Sequence, residues 1–201
     1  MASLVDMGWN VITSTSAVTV NPPDNAVSCD VVVLGGGGGG GYNYFGIGGS
    51  WASGTIETSS SLSITVGDGG TPGGVDDRPI PLPGGTSSAG SVTALGGRAG
   101  SNVNGATTQA NSAAGTYTAF GETFTGGGAT SYNTAGIVPG GGGGPGSAAK
   151  AGARGRVWYR WWTNPKIQNL YVGGKKVQAV YVGSKEVTAV YSGNKIVYGS
   201  A

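Results

Sequence analysis

Seven consecutive glycines, Gly35 to Gly41, follow directly on an apolar, β-branched run, AVSCDVVVL, at Ala26 to Leu34. Glycine has no side chain to bury and loses more backbone freedom on ordering than any other residue. A chain that orders such a run must therefore hold it closely. A phosphate-cradling loop would place its glycines at set positions before a helix, with Lys and Ser or Thr for the Walker type; this run leads instead into Tyr42-Asn43-Tyr44-Phe45. Flexible linkers are normally Gly/Ser mixtures between independent units, whereas this run extends a strand. The reading that fits is an extended, polyproline-II-like segment packed on similar segments, where only glycine lets backbones approach and weak CαH···O contacts replace side-chain packing. Gly126 to Gly128 and Gly140 to Gly144 are the expected neighbours.

With 43 Gly and 9 Pro in 201 residues, helices are nearly excluded and short strands joined by glycine-rich turns are expected. Trp9 to Asn21 reads as one strand, then Pro22-Pro23-Asp24-Asn25 as a turn, then Ala26 to Leu34 as a strand buried on both faces near its end. Within it Val27, Cys29, Val31 and Val33 share one face, with Val32 and Leu34 on the other. Leu62, Ile64 and Val66 alternate in SLSITVG, Val92 and Leu95 mark SVTAL, and Tyr117, Phe120 and Phe124 mark TYTAFGETFTG. The expected fold is all-β: a glycine-rich, β-sandwich-like domain with extended polyglycine segments over residues 1–162, then a C-terminal β-meander of ten-residue repeats over 163–201.

Histidine is absent and Cys29 is the one cysteine, which removes the usual general base, the Ser/His and Cys/His nucleophile pairs, and a thiolate zinc cage. No enzyme activity, cofactor or metal is expected. Asp68, Asp76 and Asp77 lack EF-hand spacing and its terminal Glu, and read as turn carboxylates. Cys29, within a strand, reads as a small buried residue. No run of 18 apolar residues and no signal-peptide pattern is present, so a soluble chain made in a cytoplasm, with no membrane insertion, is expected. The formal charge of +2 conceals an asymmetry: residues 1–149 carry two basic and eight acidic side chains, and residues 150–201 carry nine basic and one acidic. Most of these lysines sit at turns, which favours solvated strand ends over a nucleic-acid surface.

The strand ARGRVWYRWW, Ala153 to Trp162, alternates Arg154, Arg156, Trp158, Arg160 and Trp162 against Val157, Tyr159 and Trp161. Guanidinium interleaved with indole suits sugar rings, stacked bases or anionic groups; the competing expectation is a central or interface strand whose Arg and Trp stack on each other and on neighbouring strands. Arg156, Trp158, Arg160 and Trp162, with the loop aromatics Tyr42, Tyr44, Phe45 and Trp51, are the candidate surface or glycan contacts. After Thr163-Asn164-Pro165 come LYVGGKKVQA, VYVGSKEVTA and VYSGNKIVYG, in register without a gap. Each Gly-Gly, Gly-Ser or Gly-Asn pair suits a two-residue hairpin turn. Valines on both strand faces leave a lone sheet with exposed apolar surface, so Tyr171, Val177, Val180, Tyr181, Val187, Val190 and Tyr191 are candidate assembly residues.

The order of VNPPDNAVSCDVVVLGGGGGGG, LSITVGDGGTPGG, SVTALGGRAG and GGGGPGSAAKAGARGRVWYRWW resembles the glycine-rich domain of minor tail proteins of tailed bacteriophages, and YVGGKKV and YVGSKEV resemble repeats that end many such proteins. Together these stretches cover almost the whole chain. The resemblance implies a β-rich structural virion component at or near the tail tip, in some cases contacting the host. Implied partners are other tail proteins, further copies of the chain with a trimer favoured, and a host cell-surface glycan if the chain is a dedicated adhesin. A decoration protein elsewhere on the particle is the other reading. The resemblance supplies no catalytic residues.

Overall fold

The computed structural model describes residues 4–58, 60–75, 79–100 and 112–164, together with short strands of the C-terminal repeats between 171 and 199. Strands β1 (Val5–Asp6), β2 (Asn10–Ile12), β4 (Ala26–Leu34), β5 (Trp51–Glu57) and β11 (Arg156–Thr163) form one antiparallel sheet. Its centre is β4, paired along its length with β11 on one side and β5 on the other, while β1 and β2 lie one after the other along the far edge of β11. A second sheet contains β3 (Val18–Val20), β6 (Leu62–Thr65), β7 (Ser87–Ala89) and β8 (Val92–Ala94). A hairpin of β9 (Thr116–Ala119) and β10 (Glu122–Thr125) makes a third layer.

Period-two alternation sets the layers. One face of β4 sends Cys29, Val31 and Val33 against Leu62, Ile64 and Ala89 of the second sheet, with Val157 and Trp161 of β11. The other face sends Val32 and Leu34, with Trp158, against Phe124 of the hairpin and the half-buried Trp9, Trp51, Tyr117 and Phe120. Val31 to Leu34 are each 0 % exposed, so β4 is buried on both faces as its sequence predicts. Each such side chain stabilises by about 1.5–3 kcal/mol, which makes β4 the anchor of the fold. Trp9 to Asn21 differs from expectation: it is two strands in two sheets, β2 on β11 and β3 on β6. The chain crosses between layers at Ser14 to Ser16, where Ser16 N–H bonds Ser14 Oγ, and the Ser/Thr alternation there conceals the crossing.

Gly35–Gly41 leaves β4 fully buried. Its hydrogen bonds rotate with a period of three, the repeat of a helix with three residues per turn. Gly35, Gly38 and Gly41 donate to Ser50, Ile47 and Tyr44; Gly36 and Gly39 donate to Gly85 and Leu82; Gly37 and Gly40 donate to Ala153 and Lys150, all at 2.8–3.0 Å. In return its carbonyls accept from Gly97 and Gly100, from Gly70 and Gly73, and from Gly143 and Gly146. The run is thus the axis of a bundle, ringed by residues 46–50, 95–100, 81–85, 67–73, 150–155 and 140–144. Each ring segment also bonds the next, and the last returns to the first: Ile47 N to Arg98 O, Gly84 N to Gly97 O, Leu82 N to Thr71 O, Gly152 N to Gly70 O, Ala153 N to Gly141 O and Gly46 N to Gly143 O. Segments running with the axis alternate with segments running against it.

This geometry explains the glycines. A Cβ on any residue from Gly35 to Gly40 would lie closer than 3.0 Å to a carbonyl of a ring segment: Leu95 and Arg98 for Gly35 and Gly38, Asp68 and Thr71 for Gly36 and Gly39, Gly141 and Gly144 for Gly37 and Gly40. Gly140–Gly144 is therefore a neighbour of the run, as expected. Gly126–Gly128 is not; Gly126 and Gly127 pack instead on Ala114, Gly115, Ile137 and Pro139 in an outer layer. Bundle and sandwich are continuous in the chain. Residues 35–41, 67–73 and 95–100 extend β4, β6 and β8, while residues 46–50, 81–85 and 150–155 feed β5, β7 and β11. Ala153 to Gly155, expected as strand, belong to the bundle, and Leu95 begins a glycine segment with 68 % exposure.

Within the repeats, β12 (Tyr171–Val172) pairs β13 (Lys175–Lys176), β14 (Tyr181–Val182) pairs β15 (Lys185–Glu186), and β16 (Ala189–Ser192) pairs β17 (Lys195–Gly199). Val172 stands opposite Lys175, Val182 opposite Lys185 and Ser192 opposite Lys195; the Gly-Gly, Gly-Ser and Gly-Asn pairs expected as turns lie outside the described residues. Val177, Val180 and Val187 lie outside the described residues, as do Asp76 and Asp77.

Candidate functional site

Every bundle segment runs either away from the sandwich or back to it, so the connecting loops gather at the bundle's far end. Gly41 N–H donates to Tyr44 O at 2.9 Å and closes the turn that carries Tyr42, Asn43 and Tyr44. Gly74 N–H donates to Pro79 O at 3.0 Å beside it, and Asn133 N–H donates to Pro145 O at 2.8 Å. Asn133 adopts φ 56°, and its Oδ1 accepts from Ala148 N. Phe45 meets Tyr132 edge to face with centroids 5.6 Å apart. Tyr132, Val75 and Ile80 are 57 %, 56 % and 57 % exposed. Aromatic and apolar side chains are thus displayed on loops whose backbones are tied to a rigid support.

The sequence-predicted site residues divide between this end and the interior. Tyr42, Tyr44 and Phe45 are at the loop end, half-buried. Trp51 is not a loop residue: it opens β5, stacks between Tyr117 and Trp158 at 5.5 Å from each, and donates its indole N–H to Ala114 O. Trp158 and Arg160 are not surface residues, being buried in the interface with the hairpin. Arg156 lies 5.6 Å over the Trp158 ring. The alternation read from the sequence holds, but β9 and β10 cover the middle of the stripe at Trp158 and Arg160, while Trp162 stays half-buried beyond them. Tyr132 was missed; its signal is an aromatic set among Ser and Asn between two glycine runs, GGGATSYNTAG.

Arg160 anchors the opposite half of the same sheet face. Its guanidinium lies 4.6 Å over Trp9 and 4.8 Å over Trp162. Nε donates to Asp30 at 3.0 Å, and Nη1 donates to Asp6 at 3.0 Å and to Glu122 at 3.4 Å. Asp30 also accepts from Thr55 Oγ1 at 2.6 Å and Trp162 Nε1 at 2.7 Å. A buried guanidinium and a buried carboxylate are thereby each satisfied by several partners, which is what makes their burial tolerable. Cys29, on the other face of β4, has its thiol pushed up to about 12, first by burial and then by the Asp30 carboxylate, against a lowering backbone hydrogen bond from Arg160. Such a thiol is inert as a nucleophile. Among the described residues, no group of three or more His, Cys, Asp or Glu is placed to hold a metal ion.

Fold and bundle define an all-β protein in which polyglycine backbone forms the core of half the domain. The glycine-rich domain family matches residues 13–125, more than half of the chain, and the chain belongs to that family. Comparison with curated proteins gives no match.

Proposed function

We propose that this chain is a structural minor tail protein of a bacteriophage, at or near the tail tip, that acts without catalysis. The glycine-rich domain is a stiff spacer, the C-terminal repeats attach it to other tail proteins and to further copies, with a trimer favoured, and the far loops face outward. The observation that carries this reading is the polarity of the domain. β11 ends at Thr163 against Ala26, and Asn164 N–H donates to Asn25 O at 2.9 Å, so the chain leaves for the repeats at the end of the sandwich opposite the bundle. Attachment and display are thus separated by the length of β4 plus the glycine run. Resemblance to phage tail proteins supplies the setting. Mass spectrometry of purified particles should find the chain, and immunogold labelling should place it on the tail; absence from particles, or hydrolysis of host cell wall by the pure protein, would overturn the proposal.

The loop end favours a second reading, a dedicated adhesin for cell-wall glycan. Phe45 and Tyr132 supply adjoining ring faces of the kind that stack on sugars. Purified chain carrying Tyr132→Ala should then bind host cell walls more weakly than the unaltered chain; equal binding by both, or none by either, leaves the spacer role alone.

A further inference from the structure

The hairpin layer covers only the upper half of its sheet face. Below it, Leu4, Ser28, Asp30, Thr55 and Trp162 line an open hollow of about 500 Å³. Leu4 is 43 % exposed at its edge, so part of the lining is apolar and open to solvent. The surround is acidic. Asp6, Asp30 and Glu122 share the single guanidinium of Arg160, which leaves two negative charges in excess. Glu57 stands opposite Ser28 in register and so on the same face, adding a third. Asp6 and Glu122 keep 39 % and 50 % of their side chains exposed, free to meet a further cation.

Where the chain goes next identifies an occupant. Trp162 lines the hollow, and two residues later, at Asn164, the sandwich ends with 37 residues still to come. Those residues hold five lysines and one glutamate. The first hairpin, β12 with β13, brings Lys175 and Lys176 with no acidic residue, and only six residues, 165–170, separate it in sequence from Asn164. Six residues extend at most roughly 20 Å, so this hairpin stays within reach of the hollow, at an effective concentration a second copy meets only in the millimolar range. We infer that the open half of this sheet face is the docking site of the chain's own first C-terminal hairpin, with one of Lys175 and Lys176, which the strand sends to opposite faces, set against the rim of Asp6, Glu57 and Glu122.

This inference is independent of the tail assignment; it concerns how the repeats are held on the domain. Zero-length carbodiimide crosslinking of the full chain tests it, using an equal mixture of ¹⁴N- and ¹⁵N-labelled protein read by mass spectrometry. The expected result is linkage of Lys175 or Lys176 to Asp6, Glu57 or Glu122 within light or within heavy chains, reduced several-fold in 1 M salt, where the Debye length falls to about 3 Å. Hydrogen exchange of Leu4 to Met7 should quicken in the Lys175→Ala, Lys176→Ala variant. Crosslinks that join light to heavy chains would overturn the inference in favour of a second copy as occupant. Absence of crosslinks to this face, with unchanged exchange in the variant, would overturn docking altogether.

Discussion

At the scale of single residues, glycine content is legible in the sequence but its reason is not, because the reason lies in other segments. Gly38 and Gly128 look alike in the chain. A Cβ on Gly38 would strike the Arg98 carbonyl, and one on Gly128 would meet nothing nearer than Ile137 Cδ1 at 3.9 Å. Backbone cannot rotate away as a side chain can, so Gly38→Ala is expected to cost at least about 3 kcal/mol, the upper end of overpacking. Gly128→Ala is expected to be neutral or to stabilise by about 0.4–1 kcal/mol through the unfolded chain; urea denaturation of both variants checks the contrast. Cys29 gives a second residue-scale prediction. Its thiol rises from 9.0 to about 12 in the folded chain, so between those values the unfolded chain has lost a proton that the folded chain keeps. Stability from this group is complete below pH 9 and is lost as pH rises toward 12, and Tyr159, also raised by burial and by Cys29, acts in the same direction. Melting temperatures should change little from pH 8 to 9 and fall from there to pH 11, and thiol reagents should modify Cys29 only in denaturant.

At the scale of elements, the strands whose pattern is set by burial were readable, and those set by a partner were not. β4 was read to its ends because four consecutive residues, Val31 to Leu34, are fully buried. β11 shows the limit: alternation put Trp158, Arg160 and Trp162 on one face, yet nothing local says that this face meets a hairpin or that Arg160 meets Asp30, 130 residues earlier. Hence the glycan-contact reading of Trp158 and Arg160 failed while their shared face was correct. Arg160→Ala should cost about 3–5 kcal/mol, because it strips a cation from a buried carboxylate. Removing the carboxylate too, by Asp30→Asn in the same chain, should recover part of that loss, since no uncompensated charge then stays buried. A double-mutant cycle by denaturant unfolding gives the coupling, and strict additivity would show that Arg160 acts independently of Asp30, through Asp6, Glu122 and its stacking on Trp9 and Trp162.

At the scale of the whole molecule, the run Gly35–Gly41 binds the fold into one cooperative unit. Each backbone hydrogen bond adds only about 1 kcal/mol net, while ordering a residue costs about 1–2 kcal/mol. The seven donated and six accepted bonds of the run all go to residues outside it, so an isolated polyglycine helix has none of them, and the segments that supply them must be ordered at the same cost per residue. What holds it is closure of the ring: the run's amides have no water once six segments surround them, and leaving one unpaired there costs about as much as several bonds gain. Ring segments come from residues as far apart as 46 and 155, and five of them are continuous with sandwich strands or precede them directly. Exposing Gly38 to solvent thus requires withdrawing segments that feed β5, β7 and β11. Hydrogen exchange should accordingly protect the amides of Gly36 to Gly40 as strongly as those of Val31 to Leu34, with opening free energies near the global value, and a Gly38→Ala chain should melt in a single transition shifted as a whole. Glycine amides that exchange orders of magnitude faster than those of β4 would instead make the bundle a separate unit that opens while the sandwich stays folded.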